Sequence, residues 1–357
     1  MAARFWVAQP ISAIADNGSG NCRCTVSSTT GMTTGDTRTF FGVTGTTGLN
    51  GARTITVIDA THLDVSAVAF VATGTGSIYG AWDSSNTNNW VSTSGGTNYG
   101  QTVPGTADTA TFDANSGGGT VTPSSTAISL TSLTFGAFTN GTLDFSVNNP
   151  NVTISTLFSG TSAGTVTRAL KMGGGVWTFG GGTSAQWNFV TTSGLSFTVG
   201  SSSIVWLPAN TASSFFGGGL TWGALTINAN ASTPSSMYQI EPGNSVNNTF
   251  ASLTVNAPAV VRIRSGATQT FSGGITVNGS SFSNMVTFLT DGVSNSAGTM
   301  AVGATSNVAY TAWYGITGAT NAINATNSVS IGNVSSGTGT LSITAPSGSG
   351  VVGVIGS

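Results

Sequence analysis

The stretch between residues 176 and 208 repeats a large apolar residue every ten positions. In VWTFGGGTSAQWNFVTTSGLSFTVGSSSIVWLP the first set comprises Trp177, Trp187, Phe197 and Leu207, and a second set two positions later comprises Phe179, Phe189 and Val199. Residues i and i+2 of a β-strand face the same side of a sheet, and a short strand with its turn takes about ten residues. The ladder therefore predicts successive short strands whose large side chains share one core.

The rest of the chain favours β-structure in the same way. Apolar and polar residues alternate in short runs such as ARTITVIDATHLDVS and VVRIRS, which Gly, Asn and Ser bound on either side. This alternation is typical of half-buried strands. The strong helix formers Lys, Glu and Arg are scarce. We therefore predict an all-β protein.

The low charge of the chain limits its possible partners. Charged residues make up only 5% of the 357 residues, and the net charge is −2. A nucleic-acid-binding protein normally carries a basic surface, so the composition argues against this class. The 39% of hydrophobic residues suffice for a core and argue against disorder. A surface with so little charge favours association, as expected for a protein inside a large assembly.

No part of the sequence is typical of export or of membrane insertion. The first residues, MAARFWVAQP, lack the apolar core of a signal peptide. No run of residues approaches the length of apolar sequence that spans a bilayer. We therefore expect no membrane partner and no passage through the standard secretory route.

The strand and turn patterns divide the chain into four parts. Residues 8–79 carry five or six predicted strands and are expected to form a small β-barrel or sandwich module. This module is inserted into an N-terminal β-cap, which consists of residues 1–7 and 80–124. Residues 125–310 form a shaft of weak repeats, and residues 311–357 form a C-terminal extension that is poor in large apolar residues.

The repeats of the shaft fit two architectures. SLTSLTFGAF, FGGGLTWGALTI, FASLTVNAP and FSGGITVNG share a similar pattern, which makes Leu220, Leu253 and Ile275 equivalent. A β-solenoid stacks such repeats as rungs, whereas an antiparallel β-sandwich or jelly roll joins strands through short turns. We favour the solenoid, because irregularly spaced repeats with glycine-rich corners suit stacked rungs.

The two architectures predict different neighbours within the ladder. A rung of two strands places Trp177 near Phe197 and Trp187 near Leu207, whereas a meander pairs nearest neighbours. In both cases the large side chains point inward and are not a ligand-binding strip. In the cap, Trp6, Trp82 and Trp90 are expected to pack as one aromatic cluster. The predicted core residues are Trp6, Trp82, Trp90, Trp177, Trp187, Phe197, Leu207 and Trp222.

Several segments resemble phage proteins. ARFWV at residues 3–7 and AWDSSNTNNW at residues 81–90 resemble a signature of phage virion proteins, of the tail-fibre or decoration kind, in which ARFWV runs almost directly into TWDxxNTxxW. FGGGLTWGALTI and GATQTFSGGITVNG resemble C-terminal regions of phage proteins. Residues 10–79, chiefly TTGDTRTFFGVTGTTGLNGARTITVIDATHLDV, resemble the small β-module of the first catalytic-cysteine half-domain of ubiquitin-activating enzymes, which phage proteins also carry. This last resemblance implies a fold and not ubiquitin chemistry.

The chain offers few groups for catalysis. Glu241 and Asp291 are the one candidate carboxylate pair, which a polysaccharide depolymerase would need on either side of the scissile bond. His62 stands near Asp59 and Asp64, but no GxSxG turn accompanies it. We therefore predict no enzymatic activity and no catalytic residues.

The remaining candidate groups suggest neither a cofactor nor a metal. Cys22 and Cys24 point to the same side of a predicted strand, and two thiols are too few ligands for zinc, so we expect free cysteines. Arg262 and Arg264 share one side of a strand. We expect this side to be solvated, with a carboxylate ligand or a neighbouring subunit as alternatives.

Together with the resemblance, these features predict a structural phage virion protein. The favoured role is a tail fibre, spike or other tail appendage that contacts the host surface. The alternatives are a capsid decoration protein or head fibre and, as a further alternative, a polysaccharide depolymerase. Because few Lys or Pro residues protect the sheet edges, we expect a homotrimer. The other expected partners are tail or capsid proteins and a host surface glycan, and the expected location is the virion after synthesis in the host cytoplasm.

Overall fold

The computed structural model describes residues 2–82, 87–124, 126–181, 185–207, 213–228, 237–281, 283–291, 297–330 and 341–343. These residues form strands and turns, and their only helices are two 3₁₀ helices of three residues each, Thr47–Leu49 and Thr87–Asn89. The predicted all-β class is confirmed. The chain forms two compact units. The N-terminal unit comprises residues 1–150, 162–173 and 193–198, and the solenoid unit comprises residues 151–161, 174–192 and 199–357.

The N-terminal unit contains a small antiparallel sheet. The first strand of the chain, β1 (Ala3–Trp6), lies outside this sheet. The strands of the sheet are β2 (Gln9–Asp16), β3 (Asn21–Val26), β4 (Thr37–Phe41), β5 (Gly51–Thr54), β6 (Thr56–Val57), β7 (His62–Ala69) and β8 (Gly74–Tyr79). They form a seven-stranded sheet in the order β5-β4-β8-β2-β3-β7-β6. The sheet is barrel-like, as the prediction of a small β-module required. It has seven strands where the sequence predicted five or six.

Alternation within these strands builds the core of the module. In β3 the side chains of Cys22, Cys24 and Val26 are buried, while the residues between them are half-buried. Leu63 and Val65 of β7 stand opposite the two cysteines and are also buried. Because successive side chains of a strand face opposite sides, one face of each strand supplies the core.

Two further sheets belong to the N-terminal unit. The strands between residues 90 and 198 are β9 (Trp90–Val91), β10 (Thr109–Thr111), β11 (Gly119–Val121), β12 (Ile128–Thr134), β13 (Gly141–Asp144), β14 (Val152–Ser159), β15 (Arg168–Lys171), β16 (Val176–Phe179), β17 (Gln186–Asn188) and β18 (Leu195–Thr198). Of these, β14, β16 and β17 belong to the solenoid unit. The cap sheet has the order β9-β1-β10-β12, in which only the β9–β1 pair is antiparallel. The strands β11-β13-β15-β18 form a parallel sheet.

The solenoid unit consists of stacked parallel strands. Beyond β18 they are β19 (Ser203–Trp206), β20 (Ser213–Phe216), β21 (Thr221–Trp222), β22 (Ala224–Asn228), β23 (Met237–Ile240), β24 (Asn248–Phe250), β25 (Leu253–Asn256), β26 (Ala259–Ile263), β27 (Thr268–Phe271), β28 (Ile275–Asn278), β29 (Val286–Thr290), β30 (Gly298–Val302), β31 (Ser306–Ala309), β32 (Thr311–Tyr314), β33 (Ile316–Thr320), β34 (Ile323–Thr326), β35 (Val329–Ser330) and β36 (Leu341–Ile343).

These strands form three long stacks and one short one. The first stack is β21-β24-β27-β30-β33. The second stack, β14-β16-β19-β22-β25-β28, and the third, β14-β17-β20-β23-β26-β29-β32-β35, both begin in the long strand β14. The short stack is β31-β34-β36. Stacking thus continues beyond residue 310, where the sequence analysis placed the end of the shaft.

Each rung contains three strands. β21, β22 and β23 follow one another along the chain and enter the first, second and third stacks, and β24, β25 and β26 repeat this order. The predicted β-solenoid is confirmed, with about seven turns, and the alternative antiparallel sandwich is not found. The prediction of two strands per rung is wrong. Trp177 pairs in register with Ile204, and Trp187 pairs with Phe215.

The second stack aligns the repeats differently from the sequence analysis. Leu225 stands in register with Leu253, which in turn stands in register with Ile275. Leu220, the residue predicted at this position, lies in the turn before β21. The two predicted equivalents of Leu220 do stack on each other, but the first repeat is shifted by five residues. The turn Gly217–Leu220 and the short strand β21 precede β22, and local pattern matching cannot detect their length.

The same stack carries an asparagine ladder at its end. Asn228, Asn256 and Asn278 are in register on three successive rungs. The Nδ2 of Asn256 donates to the Oδ1 of Asn228, and the Nδ2 of Asn278 donates to the Oδ1 of Asn256, both at 2.6 Å. Each asparagine side chain therefore forms a hydrogen bond with the asparagine on the next rung, and these bonds connect adjacent rungs.

Two of the predicted core residues are only partly buried. Leu207 follows the buried Trp206 and therefore points to the opposite side of the chain. Phe197 is in register with the buried Leu170, but it belongs to β18, the last strand of its sheet, so no further strand of that sheet covers it. The prediction that both residues occupy one recurring inward position with Trp177 and Trp187 is wrong.

Glycine allows the chain to turn sharply between strands. Gly218, in the turn after β20, has φ of +64°, which favours glycine. A Cβ atom at this position would also collide with the carbonyl oxygen of Phe189. The glycine-rich sequence GGG at 217–219 therefore permits close contact between neighbouring turns of the chain.

Candidate functional site

The aromatic residues of the solenoid form stacks inside it. Trp187 lies 5.5 Å from Phe215, with their rings within 10° of parallel. Phe179 stacks on Trp206 at 5.0 Å, and the same arrangement joins other pairs on neighbouring rungs, Phe158 with Trp177, Phe250 with Phe271 and Phe288 with Trp313. All these rings are at most 1% exposed. The aromatic residues are therefore core, and no ligand at the surface can reach them.

The cap contains the aromatic cluster that its sequence suggested. Trp90 lies 5.3 Å from Trp6 and 5.4 Å from Trp82, in edge-to-face contacts. Phe112 joins the cluster at 5.8 Å from Trp6 and 5.5 Å from Trp82. The three tryptophans are at most 2% exposed. Such contacts stabilise the fold beyond the area that they bury, and they leave no ring face open to a sugar.

A buried amide that the sequence did not predict lies next to this cluster. Asn89 is fully buried; its Nδ2 donates to the carbonyl of Val7 at 2.9 Å, and its Oδ1 accepts from the N–H of Gly80 at 2.7 Å. Val7 and Gly80 are the points at which the chain enters and leaves the seven-stranded sheet. One side chain thus joins both connections. The sequence feature that could have indicated this buried amide is the polar pair Asn88-Asn89 directly before the core residue Trp90.

Two more buried amides attach the loop at residues 28–30. Asn88 donates to the carbonyl of Thr30 at 2.7 Å. Gln9 donates to the carbonyl of Ser28 at 2.8 Å and accepts from the N–H of Ser28 at 3.1 Å. Both amide side chains belong to residues with no exposed surface. Hydrogen bonds of this kind fix the seven-stranded sheet where its chain meets the cap.

Glu241, a candidate for catalysis, lies inside the solenoid. Its residue is 0% exposed, and its Oε1 accepts from the N–H of Gly217, the N–H of Gly218 and the Nδ2 of Asn248. Among the described residues its Oε2 has no hydrogen-bond partner. Burial raises the pKa of this carboxyl group. A carboxyl group in this position stabilises a turn and is not presented to a substrate.

Asp291, the other half of the predicted pair, is bound to Arg264. Its Oδ2 accepts from the Nη1 of Arg264, its Oδ1 accepts from the N–H of Ser265 at 3.1 Å, and its side chain is 1% exposed. Burial opposes ionisation, but the hydrogen bonds from Arg264 and Ser265 outweigh it and lower the pKa of Asp291 to about 2. This aspartate therefore neutralises a partly buried guanidinium.

The register shows how these three groups are arranged. Ile240, Ile263 and Thr290 are in register on successive rungs, and Glu241, Arg264 and Asp291 are the residues that follow them. Two rungs therefore separate the two carboxylates along the stack, roughly 10 Å. Arg264 belongs to the rung between them. The pair has no shared open cleft of the kind that glycoside hydrolysis requires.

The other titratable candidates lie in the seven-stranded sheet. The Nδ1 of His62 is 2.8 Å from the Oδ2 of Asp59. Hydrogen bonds, first from the N–H of Thr61 and then from His62, lower the pKa of Asp59 to about 2. Asp64 instead pairs with Arg23 at 2.8 Å. No nucleophile–base–acid arrangement results.

The two cysteines are free and buried, as expected. Burial raises the pKa of Cys22, and it raises the pKa of Cys24 to about 12, so neither thiol ionises readily at neutral pH. Within the described ranges, no three His, Cys, Asp or Glu residues come together in a way that could hold a metal ion.

One cavity of about 400 Å³ opens in the cap. Its walls are the segments 103–106, 124 and 126–129 together with Trp82. None of these residues is titratable. The cavity walls therefore offer no acid–base group, and no base that could activate the hydroxyl groups of their Ser and Thr residues.

The outer side of the third stack differs from the rest of the solenoid. A column of outward positions in register contains Gln186, Ser214, Gln239, Arg262, Leu289 and Tyr314. We call it the outer column. In the second stack, the corresponding outward residues of β22, β25 and β28 are Thr226, Thr254 and Thr276. The outer column instead combines large amide, cationic and aromatic side chains.

Comparison with family models, with curated proteins and with solved structures finds no match to this chain. Within the described part of the chain, no helix has the length and apolar character needed to cross a membrane.

Proposed function

We propose that this chain is a structural phage virion protein, a tail fibre, spike or other tail appendage that contacts the host surface. The observation that carries this proposal is the three-sided parallel solenoid with its continuous interior of stacked aromatic and aliphatic residues. Solenoids behave as quasi-one-dimensional rods in which each rung contacts its neighbours. Seven steps of strand stacking extend about 34 Å. A rigid element of this kind suits a projecting part of a particle.

The state of the titratable groups supports a structural role. Arg23, Lys171 and Arg264 each form an ion pair with an aspartate, and Arg38 pairs with Asp36. The buried Glu241 holds backbone N–H groups. These groups stabilise turns and strand ends, and none of them is arranged for substrate turnover. The chain is accordingly proposed to have no enzymatic activity.

The low charge supports assembly with other subunits. Threonines occupy the outward positions of β22, β25 and β28, and only 5% of the residues of the chain are charged, so its surface resists association poorly. We propose a homotrimer attached to other virion proteins. Light scattering on the purified chain should give three times the mass of one chain, whereas a stable monomer would contradict the trimer.

Virion composition tests the role itself. Quantitative mass spectrometry of purified particles should find a few trimers per virion, and antibody labelling should mark the tail. Tens to hundreds of copies on the head would instead indicate a capsid decoration protein or head fibre. Absence of the chain from purified virions would overturn the proposal. As a control for enzymatic activity, host capsule or O-antigen should keep its chain length after incubation with the protein.

A further inference from the structure

We propose that the outer column of the third stack binds a carboxylate-bearing polysaccharide. This inference rests on the proposed host-contact function and names the class of ligand. The column runs along the solenoid through Gln186, Ser214, Gln239, Arg262, Leu289 and Tyr314, one residue per rung. Its chemistry differs from that of the threonine-rich neighbouring face, and three of its features point to an acidic glycan.

The first feature is a cation without a carboxylate partner. Arg262 points outward from β26 and is half-buried. Its Nη1 donates to the Oε1 of Gln239 at 3.2 Å and contacts the sulfur of Met237 at 3.8 Å. Among the described residues, no carboxylate lies within 4.0 Å of it, whereas Arg264 two positions later is paired with Asp291. An ordered guanidinium of this kind is suited to bind a carboxylate through two parallel hydrogen bonds.

The second feature is an exposed aromatic ring held by a rigid strand. Tyr314 is 48% exposed and lies two rungs from Arg262 in the same column. The preceding residue, Trp313, is buried and stacks on Phe288 at 4.6 Å, which anchors the strand. All eight tryptophans of the chain are buried, so Tyr314 is an exception among the large rings. An exposed tyrosine offers an apolar face for a pyranose ring and a hydroxyl for its edge.

The third feature is the spacing of the side chains. Stacked strands lie about 4.8 Å apart, so Arg262 and Tyr314 are about 10 Å apart along the column. One rung is close to the length of one sugar unit in an extended polysaccharide. A glycan that runs along the solenoid therefore meets one side chain per sugar. Gln186 and Gln239 place amide donors and acceptors where sugar hydroxyls would lie.

The charge of the column selects an acidic polymer over a neutral one. A neutral glycan would cover Arg262 without neutralising it, which costs desolvation energy. A carboxylate compensates for this desolvation energy by forming charge-assisted hydrogen bonds with the guanidinium. A protein partner is less suited, because the core of a protein interface needs closely packed apolar anchors, and the two leucines in register along this column, Leu157 and Leu289, lie five strand steps apart.

Binding to defined polymers tests the proposal with the full chain. The probes are polygalacturonate, alginate and hyaluronan, with dextran as a neutral polymer. The wild-type protein should bind at least one of the three acidic polymers at least tenfold more tightly than the carboxyl-reduced form of that polymer. Arg262→Gln should weaken this binding at least tenfold, and Arg262→Lys should recover part of the loss. Arg4→Gln removes the same charge from the N-terminal unit and should change affinity less than twofold.

A second variant examines the aromatic contact. Tyr314→Ala should weaken binding several-fold, whereas Tyr314→Phe should retain most of it, and circular dichroism should show that both variants are folded. The proposal is overturned if the wild type binds none of the three acidic polymers or if Arg262→Gln binds as the wild type does. It is also overturned if Arg262→Gln changes the oligomeric state, because the column would then be a subunit interface. Location of the chain in virions is measured independently, so these failures would leave the virion role intact.

Discussion

The side chain of Asn89 donates to the carbonyl of Val7 at 2.9 Å, at the point where the chain leaves the cap for the seven-stranded sheet. The same amide accepts from the N–H of Gly80, where the chain returns. Residues 82 positions apart in sequence are thereby joined through one buried group. Asn89 therefore connects the two points at which the small sheet is attached to the cap.

Replacement of Asn89 should therefore destabilise the N-terminal unit. Asn89→Ala removes two buried hydrogen bonds and leaves a carbonyl and an N–H without partners, which should lower the free energy of unfolding by about 2–4 kcal/mol. Urea denaturation and limited proteolysis near residues 7 and 80 measure this effect. Asn115→Ala, at an exposed asparagine, is the control and should change stability by less than about 0.5 kcal/mol. Equal effects of the two substitutions would contradict the role of Asn89.

The stacked aromatic interior should be sensitive to truncation. Trp187 is fully buried and stacks on Phe215. Trp187→Ala should lower the free energy of unfolding by about 3–5 kcal/mol, because it removes apolar contacts and leaves a cavity. Trp187→Phe should cost less. Val176→Ala, at an exposed position of β16, is the matched control, and a similar loss in that variant would contradict the assignment of Trp187 to the core.

The burial of Glu241 predicts that stability falls as pH rises. Because burial raises the pKa of this carboxyl group above its ordinary value of 4.5, the folded state holds the proton more tightly than the unfolded state. The stabilisation is fully present below pH 4.5 and is lost as the pH rises through the folded-state pKa. Urea midpoints measured between pH 5 and pH 8 should decrease for the wild type. Glu241→Gln should flatten this dependence, and an unchanged slope would contradict the prediction.

The low pKa of Asp291 predicts that the stability of the fold decreases as the pH falls into the acid range. Its folded-state pKa of about 2 lies below the ordinary value of 3.8, so its contribution is present above pH 3.8 and is lost as pH falls towards 2. Asp291→Asn should remove that part of the acid sensitivity. At neutral pH it leaves the partly buried Arg264 uncompensated and should cost about 3 kcal/mol.

A double-mutant cycle tests this pair further. If the loss in Asp291→Asn arises from the unpaired guanidinium, then Arg264→Gln combined with Asp291→Asn should be more stable than Asp291→Asn alone. Additive losses, measured by urea denaturation at pH 7, would show that the two side chains do not stabilise each other.

Local patterns in the sequence were sufficient to predict the fold class, because the alternation of side chains along a strand has a period of two residues. The aromatic residues Trp6, Trp82 and Trp90 could be assigned to a core because rings of this size are stable when buried together. The stacked repeats with glycine-rich corners also predicted a solenoid. These patterns involve residues that are close together in the sequence, so they can be recognised from one sequence.

Which residues stack on one another was decided by the tertiary structure. Trp177 lies in register with Ile204 and not with Phe197, because three strands and their turns make up a rung. The length of each turn sets this alignment, and no local pattern reports it. The same alignment places Arg264 on the rung between Glu241 and Asp291 and brings Tyr314 into one column with Arg262. Local sequence patterns are enough to establish that this chain is a β-protein with an aromatic core. Only the vertical pairing of rungs, which depends on contacts between distant residues, decided which polar groups are buried in pairs and which face outward.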